Sequence, residues 1–488
     1  MRCGSPLVRS CKRRNIFRVS TSTVEQLDRT RRVAVNGFVE SDKMQEQVEL
    51  IRQVFEYVHL FKGKTIVIKV DASVMDHPSL PMLVKDLVLL HRQGIQIVLV
   101  PGAKERIDEV LRRYNLPWKS VGGVRISSAE AIPFIKMAAF DVSNRLMTLL
   151  AENNASAIIG NWVRARSLGV LKGVDYQATG TVERINVELV RKALQEGLIP
   201  IFPNIGWSSS GKPYNISSNE LAYILARNLE AEKLFFVSRH SGVSAEQYDL
   251  PAGVPVSAEG QATHLSVEQA RSFLDINESK AEDETVELIR LGCQACNEGV
   301  ARVHIVNGEI EGVILKEMFS SLGCGTMIYT NDHENIRPMR LEDIPEIVRI
   351  MHPFIEEEIL LPRGEQELAE QIDHFAVYEV DGIIHASGAL IPSAEEKGRG
   401  EIAGIAVDRT YTGFGIGKRI LSYLVSRAKD LGIKNLYVLT TQTTDWFLQF
   451  GFHEGAVQDL PSAERRDYNR LRNSRVLLLD TKKFRISS

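Results

Sequence analysis

Between residues 44 and 329, short β-branched apolar runs alternate with segments of helical periodicity, and this alternation limits the fold more than any other feature of the chain. Residues 65–70 (TIVIKV), 96–100 (QIVLV), 199–203 and 233–237 read as buried strands, and 80–92, 105–114 and 219–229 as amphipathic helices. Strands apolar on both faces and separated by helices belong to a mostly parallel sheet covered on both sides, a three-layer α/β/α domain. The span 252–283 is polar and irregular and reads as an inserted loop region with a helix near 266–274. Residues 284–297 read as another helix.

A different pattern begins near Asn335. Residues 340–351 form an amphipathic helical stretch, and two strand-like runs, 375–380 and 383–391, flank Asp381-Gly382, a pair that readily supplies the positive φ of a tight hairpin. A strand at 401–407, a helix at 415–431 and a strand at 435–440 complete an α+β pattern. The expected organisation is a basic, disordered leader over 1–43, an α/β domain over 44–329 and an α+β domain over 330–488, with the linker in 324–334.

Charge and composition exclude several functions. The 488 residues carry a net charge of −3, but residues 1–24 hold six basic residues and no acid, so 53 bases face 62 acids in the remainder. An acidic body does not bind nucleic acid through phosphate neutralisation. No apolar run approaches the ~20 residues of a bilayer-spanning helix. Five cysteines are too few for a disulfide scaffold, and the odd number fits a reducing compartment, the cytoplasm. The basic, Ser/Thr-rich start resembles an organellar transit peptide; the other reading is a disordered leader or an upstream start codon. Cys293-Gln-Ala-Cys296 has no second cysteine pair with which to build a zinc site, so these residues are expected to pack in the core and no metal is expected.

The sharpest local motif is EIAGIAVDRTYTGFGIGKRIL at 401–421: strand, glycine-rich loop, helix. Gly413, Gly415 and Gly417 let backbone approach a ligand, and the helix N-terminus behind them offers unpaired N–H groups to a pyrophosphate. The G-x-G-x-G spacing differs from the dinucleotide fingerprint. The stretch resembles the acetyl-CoA loop of the GNAT N-acetyltransferases, with Thr412 where that pattern carries Arg or Gln.

Further stretches extend the resemblance: GEIAGIAV at 400–407, LTTQTTDWF at 439–447 and the run from Tyr468 to Arg472-Asn473-Ser474 in the second half, and VLVPGAKERID at 98–108, 169–176, 214–222 and GVARVH at 299–304 in the first. Together these resemble the N-acetylglutamate synthase family, an amino-acid-kinase-like domain fused to a GNAT domain. The resemblance implies acetyl transfer from acetyl-CoA, as co-substrate, to the α-amine of L-glutamate, without an acyl-enzyme. It places Glu401 as general base and the Thr440 hydroxyl as the group facing the thioester. Arg363 and Arg472 would hold the glutamate carboxylates, as the planar guanidinium fork suits. Backbone at Ala406 and Val407 would hold the pantetheine arm, and Gly413, Phe414, Gly415 and Gly417 the pyrophosphate.

The kinase-like half departs from its family where phosphate would bind. Lys-Val-Asp-Ala stands at 69–72 in place of Lys-x-Gly-Gly, Pro-Gly-Ala-Lys at 101–104 in place of consecutive glycines, and Asn219 in place of an aspartate. These changes predict no phosphoryl transfer, since that chemistry depends on positioned charge around the phosphates. In arginine-sensitive relatives a His thirteen residues before a Glu, followed by Gly-x-Gly, marks the effector site; His304, Glu317, Gly323 and Gly325 keep that register. The resemblance therefore implies feedback regulation by L-arginine, and the helix at 45–61 resembles the family's oligomer-forming helix, implying a homo-oligomer. Two other readings stand beside this one: an acetylglutamate kinase with a fused acetyltransferase, and a non-enzymatic arginine sensor.

Overall fold

The computed structural model describes residues 58–257, 260–319, 324–330, 334–380, 383–409 and 415–485. The expected leader at 1–43 and most of the helix expected at 45–61 lie outside these residues. Among the described residues no helix is long and apolar enough to cross a membrane.

The first half is built on one eight-stranded sheet. Its strands are β1 (Thr65–Val70), β2 (Gln96–Pro101), β3 (Ala157–Ile159), β4 (Ile199–Ile201), β5 (Lys233–Ser238), β6 (His264–Ser266), β7 (Arg302–Asn307) and β8 (Gly325–Tyr329). They lie in the order β6-β8-β7-β5-β1-β2-β4-β3, and every neighbouring pair is parallel except β7–β8. In the central strand β1, Val67 pairs with Val98 on one side and Leu234 on the other, and Ile66, Val67 and Ile68 are fully buried. A strand with no solvent face must be apolar throughout, which is why TIVIKV does not alternate.

The longer helices are α1 (Leu80–Arg92), α2 (Lys104–Arg113), α3 (Ile132–Glu152), α4 (Val187–Gln195), α5 (Ser218–Asn228), α6 (Val267–Ile276), α7 (Glu284–Asn297) and α8 (Val313–Phe319). Helix α5 starts where the Ser217 side chain accepts from the Glu220 N–H, and α7 where Asp283 accepts from the Thr285 and Val286 N–H groups. Their apolar faces, including Leu221, Leu225, Val286 and Ile289, share one core with Val67, Leu234, Val303 and Ile328 of the sheet. Each such side chain contributes about 1.5–3 kcal/mol on burial. Cys293 and Cys296 belong to this core, and burial pushes the Cys296 thiol up to about 12. They are unreactive packing residues, in keeping with the sequence reading.

Two expectations change. The polar span 252–283 is more than an insertion, because β6 within it is the edge strand of the main sheet, pairing with β8 from His264↔Met327 to Ser266↔Tyr329. The expected linker at 324–334 is mostly strand: β8 belongs to the first sheet and Glu334–Pro338 to the second.

The second half forms a seven-stranded sheet from β9 (Glu334–Pro338), β10 (Phe375–Val380), β11 (Ile383–Pro392), β12 (Arg399–Val407), β13 (Asn435–Thr440), β14 (His453–Gly455) and β15 (Arg475–Asp480), in the order β9-β10-β11-β12-β13-β15-β14. Val380 pairs with Ile383, so β10 and β11 form the expected two-residue hairpin, whose turn lies outside the described residues. Helices α9 (Ile344–Glu356) and α10 (Glu365–Glu370) cover one face through Ile347, Met351 and Leu368, packed on Phe375 and Val377. Helix α11 (Ile416–Asp430) covers the other through Ile420, Leu424 and Val425. The short helix α12 (Thr444–Leu448) follows β13.

Candidate active site and effector site

All pairs in the second sheet are antiparallel except β12–β13, and that parallel ladder is short. It runs from Arg399↔Asn435 to Glu401↔Tyr437 and stops, so residues 402–407 of β12 lie beyond it. The two strands part at Glu401. A strand parted from its neighbour offers backbone N–H and C=O groups that an extended amide-containing chain can bind.

A bulge shapes the free end of β12. Ser387 pairs with Ala406 and Ala389 with Ala403, so one extra residue is inserted opposite β11, and Gly404 there takes φ +59°. The insertion inverts the side-chain alternation. Ile402 before it and Ile405 and Val407 after it all pack with α11. Glu401, one residue from Ile402 and paired with Ile391, lies on the opposite face, the one covered by α9 and α10.

Arg363 lies on that same face. Its guanidinium stacks 5.6 Å from the ring centre of buried Phe375 and donates to Gln371 Oε1 at 2.5 Å. Its carboxylate contact is loose, 3.9 Å to Glu367. Arg472 donates from Nη2 to the backbone carbonyls of Glu358 (3.1 Å) and Ile359 (2.7 Å), and it has no carboxylate partner among the described residues. Most arginines here are paired; Arg337, for example, binds both Asp343 and Glu379. Two half-buried cations with little counter-charge fit an acceptor that brings its own carboxylates.

Thr440 ends β13, on the α11 side two residues beyond Val438. Its hydroxyl accepts from the Thr443 N–H at 3.0 Å and lies 2.7 Å from the Thr443 hydroxyl. Thr443, which sequence reasoning did not single out, therefore forms a hydroxyl pair with Thr440 at the mouth of the parted strands; T-x-x-T at a strand end was its only signal.

Beyond Val407 the chain is anchored before residues 410–414, which lie outside the described residues together with Thr412, Gly413 and Phe414. Arg349 bonds buried Asp408 at 2.9 Å, and Arg409 pairs with Glu357. Gly415 then caps α11 with φ +71° and no capping side chain. The first turn of this fifteen-residue helix contains Lys418 and Arg419 and no acid. Cations there oppose the helix dipole and become favourable once an anion binds the free N–H groups. Gly417 has a packing role too: a Cβ on it would lie 3.3 Å from Trp446 and 3.6 Å from Val407.

In the first half, Lys69 and Asp71 form a buried ion pair, Nζ to Oδ2 2.6 Å, with Lys69 only 2% exposed. Burial by itself would raise the Asp71 carboxyl; the Lys69 ammonium outweighs it and holds the group well below the usual carboxylate range. Asp71 also accepts from the Ser73 N–H and hydroxyl, and the Gly102 N–H closes onto the Val70 carbonyl at 2.7 Å. Asn219 donates to Glu287, on α7. The cation expected at a phosphate is already neutralised, which goes further than the repulsion anticipated from Asp71.

His304 and Glu317 meet as the sequence register implied. His304 Nδ1 donates to Glu317 Oε1 at 2.9 Å and the Cys324 N–H donates to Oε2 at 2.7 Å. The imidazole stacks on Phe235, with ring centres 4.6 Å apart. Gly325 lies in β8, where a Cβ would fall 2.0 Å from the Ile305 carbonyl oxygen; Gly323 is outside the described residues. Burial, only partly offset by Glu317, drives the His304 imidazole down to about 4, so it is neutral at pH 7. Burial alone would raise Glu317, but His304 and the Cys324 N–H hold it below the ordinary value.

Both shifts give the same pH dependence. In the unfolded chain the histidine takes up its proton near 6.5, so below that the unfolded state binds more protons than the folded one. Stability is therefore complete above about 6.5 and falls as the pH drops toward 4, with Glu317 adding to the loss at the lower end. Urea midpoints measured between about pH 7 and about pH 5 should fall, and less so in His304→Gln. An equal slope in that variant would show that the pair does not carry the effect.

Both halves of the chain are similar to known protein families. Residues 64–307 match the amino acid kinase family and 341–452 the acetyltransferase (GNAT) family. The amino-acid acetyltransferase of Ralstonia nicotianae is 34% identical over 89% of this chain and 96% of its own length. That of Escherichia coli K12 is 31% identical over 90% and 99%. The crystal structure of N-acetylglutamate synthase from Neisseria gonorrhoeae complexed with coenzyme A and L-arginine superposes with a TM-score of 0.75 at 29% identity, covering 89% of this chain and 99% of that one. The chain thus belongs to the amino-acid acetyltransferase family, N-acetyltransferases in which a GNAT domain follows an amino-acid-kinase-like domain.

Proposed function

We propose that this protein transfers the acetyl group of acetyl-CoA to the α-amine of L-glutamate and that L-arginine, bound in the kinase-like domain, inhibits it. The observation that carries the reading is the parting of β12 from β13 at Glu401, with Arg363 on the face that bears this carboxylate. Structures of the Neisseria gonorrhoeae enzyme with coenzyme A and either L-arginine or N-acetyl-glutamate support it.

Glu401 takes a proton from the glutamate ammonium, leaving the amine free to attack the thioester carbonyl. The tetrahedral intermediate loses its second nitrogen proton as the carbon–sulfur bond breaks; that proton is relayed through the Thr440–Thr443 hydroxyl pair to the thiolate, so both hydroxyls are restored, and Glu401 returns its own proton to solvent. Arg363 and Arg472 hold the two carboxylates of the acceptor. Backbone at Ala406 and Val407 holds the pantetheine arm, and the loop through Gly413 and Phe414 with Gly415 and Gly417 holds the pyrophosphate at the α11 N-terminus. His304, Glu317, Gly323 and Gly325 form the arginine site. The Lys69–Asp71 pair disfavours phosphoryl transfer by the first domain. The protein acts as a homo-oligomer in the cytoplasm.

A thiol-release assay with acetyl-CoA and a panel of amino acids tests this. Release with glutamate, suppressed by arginine, and loss of that suppression in Glu317→Gln are the expected results. Release with no amino-acid selectivity would remove the acceptor assignment, and calorimetry showing no arginine binding would remove the effector.

A further inference from the structure

Helix α9 ends in a turn whose carbonyls are claimed by residues distant in sequence. Glu358 takes φ +58°, a conformation rare outside glycine, and its N–H returns to the Ile355 carbonyl. Three successive carbonyls then accept from elsewhere. Gln442 Nε2 reaches the Glu357 carbonyl at 3.2 Å, and Thr441 Oγ1 the Glu358 carbonyl at 3.2 Å. Arg472 Nη2 bonds both the Glu358 and Ile359 carbonyls. Thr441 and Gln442 directly follow Thr440 at the end of β13, and Arg472 sits in a turn held by Asn469 Oδ1, which accepts from the Leu471 and Arg472 N–H groups. One three-residue turn thus ties the end of β13 to the Arg472 guanidinium, and Arg363 follows four residues after Ile359.

The bonding of Arg472 is lopsided. Nη2 is committed to carbonyls, while Nε and Nη1 have no partner among the described residues. A half-buried guanidinium gripped at one nitrogen keeps its orientation, and the donors left over suit a carboxylate. The grip depends on where the carbonyls lie, and Thr441 and Gln442 hold them.

We propose that Thr441 and Gln442 are positioning residues for the acceptor: by fixing the strained 357–359 turn they set the direction of the Arg472 guanidinium, and so the affinity for the acceptor carboxylate. This rests on the reading that Arg472 binds a carboxylate of glutamate. Neither residue touches the reacting atoms, so the effect belongs to acceptor binding and not to the chemical step.

The test is steady-state thiol release by the full chain, with glutamate and acetyl-CoA varied in turn. Thr441→Val combined with Gln442→Ala should raise KM for glutamate by about tenfold while kcat and KM for acetyl-CoA stay within about twofold. Thr441→Ser, which keeps the donor, should restore the wild-type KM in the Gln442 background to within about threefold. Placed in Arg472→Ala, the same pair of substitutions should add nothing, because the residue they act through is gone. An unchanged KM for glutamate in the double variant, or an equal further rise in the Arg472→Ala background, overturns the proposal. If the wild-type protein itself releases no thiol with glutamate, the acceptor assignment fails and takes this role with it.

Discussion

Glu401→Gln is expected to lower kcat for acetyl transfer by about 10²–10⁴-fold while KM for both substrates stays within about threefold. The amide keeps the size of the side chain and its capacity for hydrogen bonds but cannot take a proton from an ammonium. Position makes the effect large: Glu401 stands where the short parallel β12–β13 ladder ends and the two strands part. Its face is set by the Gly404 bulge, since without the inserted residue Ile402 and Ile405 could not both pack on α11. Pre-steady-state thiol release on the variant, with thermal unfolding as a check of integrity, measures it. A kcat within about tenfold of wild type would assign the proton transfer elsewhere.

Gly325→Ala is expected to destabilise the kinase-like domain by at least about 3 kcal/mol. A Cβ at this position would lie 2.0 Å from the Ile305 carbonyl oxygen and 3.1 Å from Val306 Cγ1. The nearest atom is backbone in a buried strand, so no rotamer change relieves the collision; β8 would have to leave β7. Thr326 would move with it, and Thr326 both donates to the Ala262 carbonyl at 2.6 Å and accepts the Val243 N–H at 2.8 Å. Chemical denaturation with the far-ultraviolet signal should show the loss directly. A midpoint equal to wild type would mean that the β7–β8 pairing is looser than the register indicates. The family register marked Gly325 as part of an effector site; the packing adds a structural demand on the same atom.

Much of the fold was legible in local pattern. Residues 80–92 and 284–297 were expected as helices and are α1 and α7. TIVIKV was expected as a buried strand and lies at the centre of the sheet. Where the reading failed, the segments were short and their environment one-sided. Strand β6 is three residues, His264-Leu265-Ser266, with only Leu265 buried, and three residues show no period. Strand β8 lies inside the span 324–334 expected as a linker, and becomes strand because Ile328 completes the core beneath α7.

The candidate site divides in the same way. Motif matches to the family singled out Glu401, Thr440, Arg363, Arg472, His304 and Glu317. They could not show that Thr440 shares its hydroxyl with Thr443, that the 357–359 turn holds Arg472, or that Asp71 silences Lys69 by pairing with it.

The sequence by itself determined the order of the kinase-like and acetyltransferase segments and the elements with clear period, and its family resemblance nominated the groups for the chemistry. Periodicity reports which side of an element faces a core, and that information is complete within a few residues. The tertiary structure alone decided where β12 leaves β13, which face Glu401 takes, and what orients Arg472. These depend on contacts such as that between Arg472 and Glu358, 114 residues apart, whose geometry is set by the packing of everything between them.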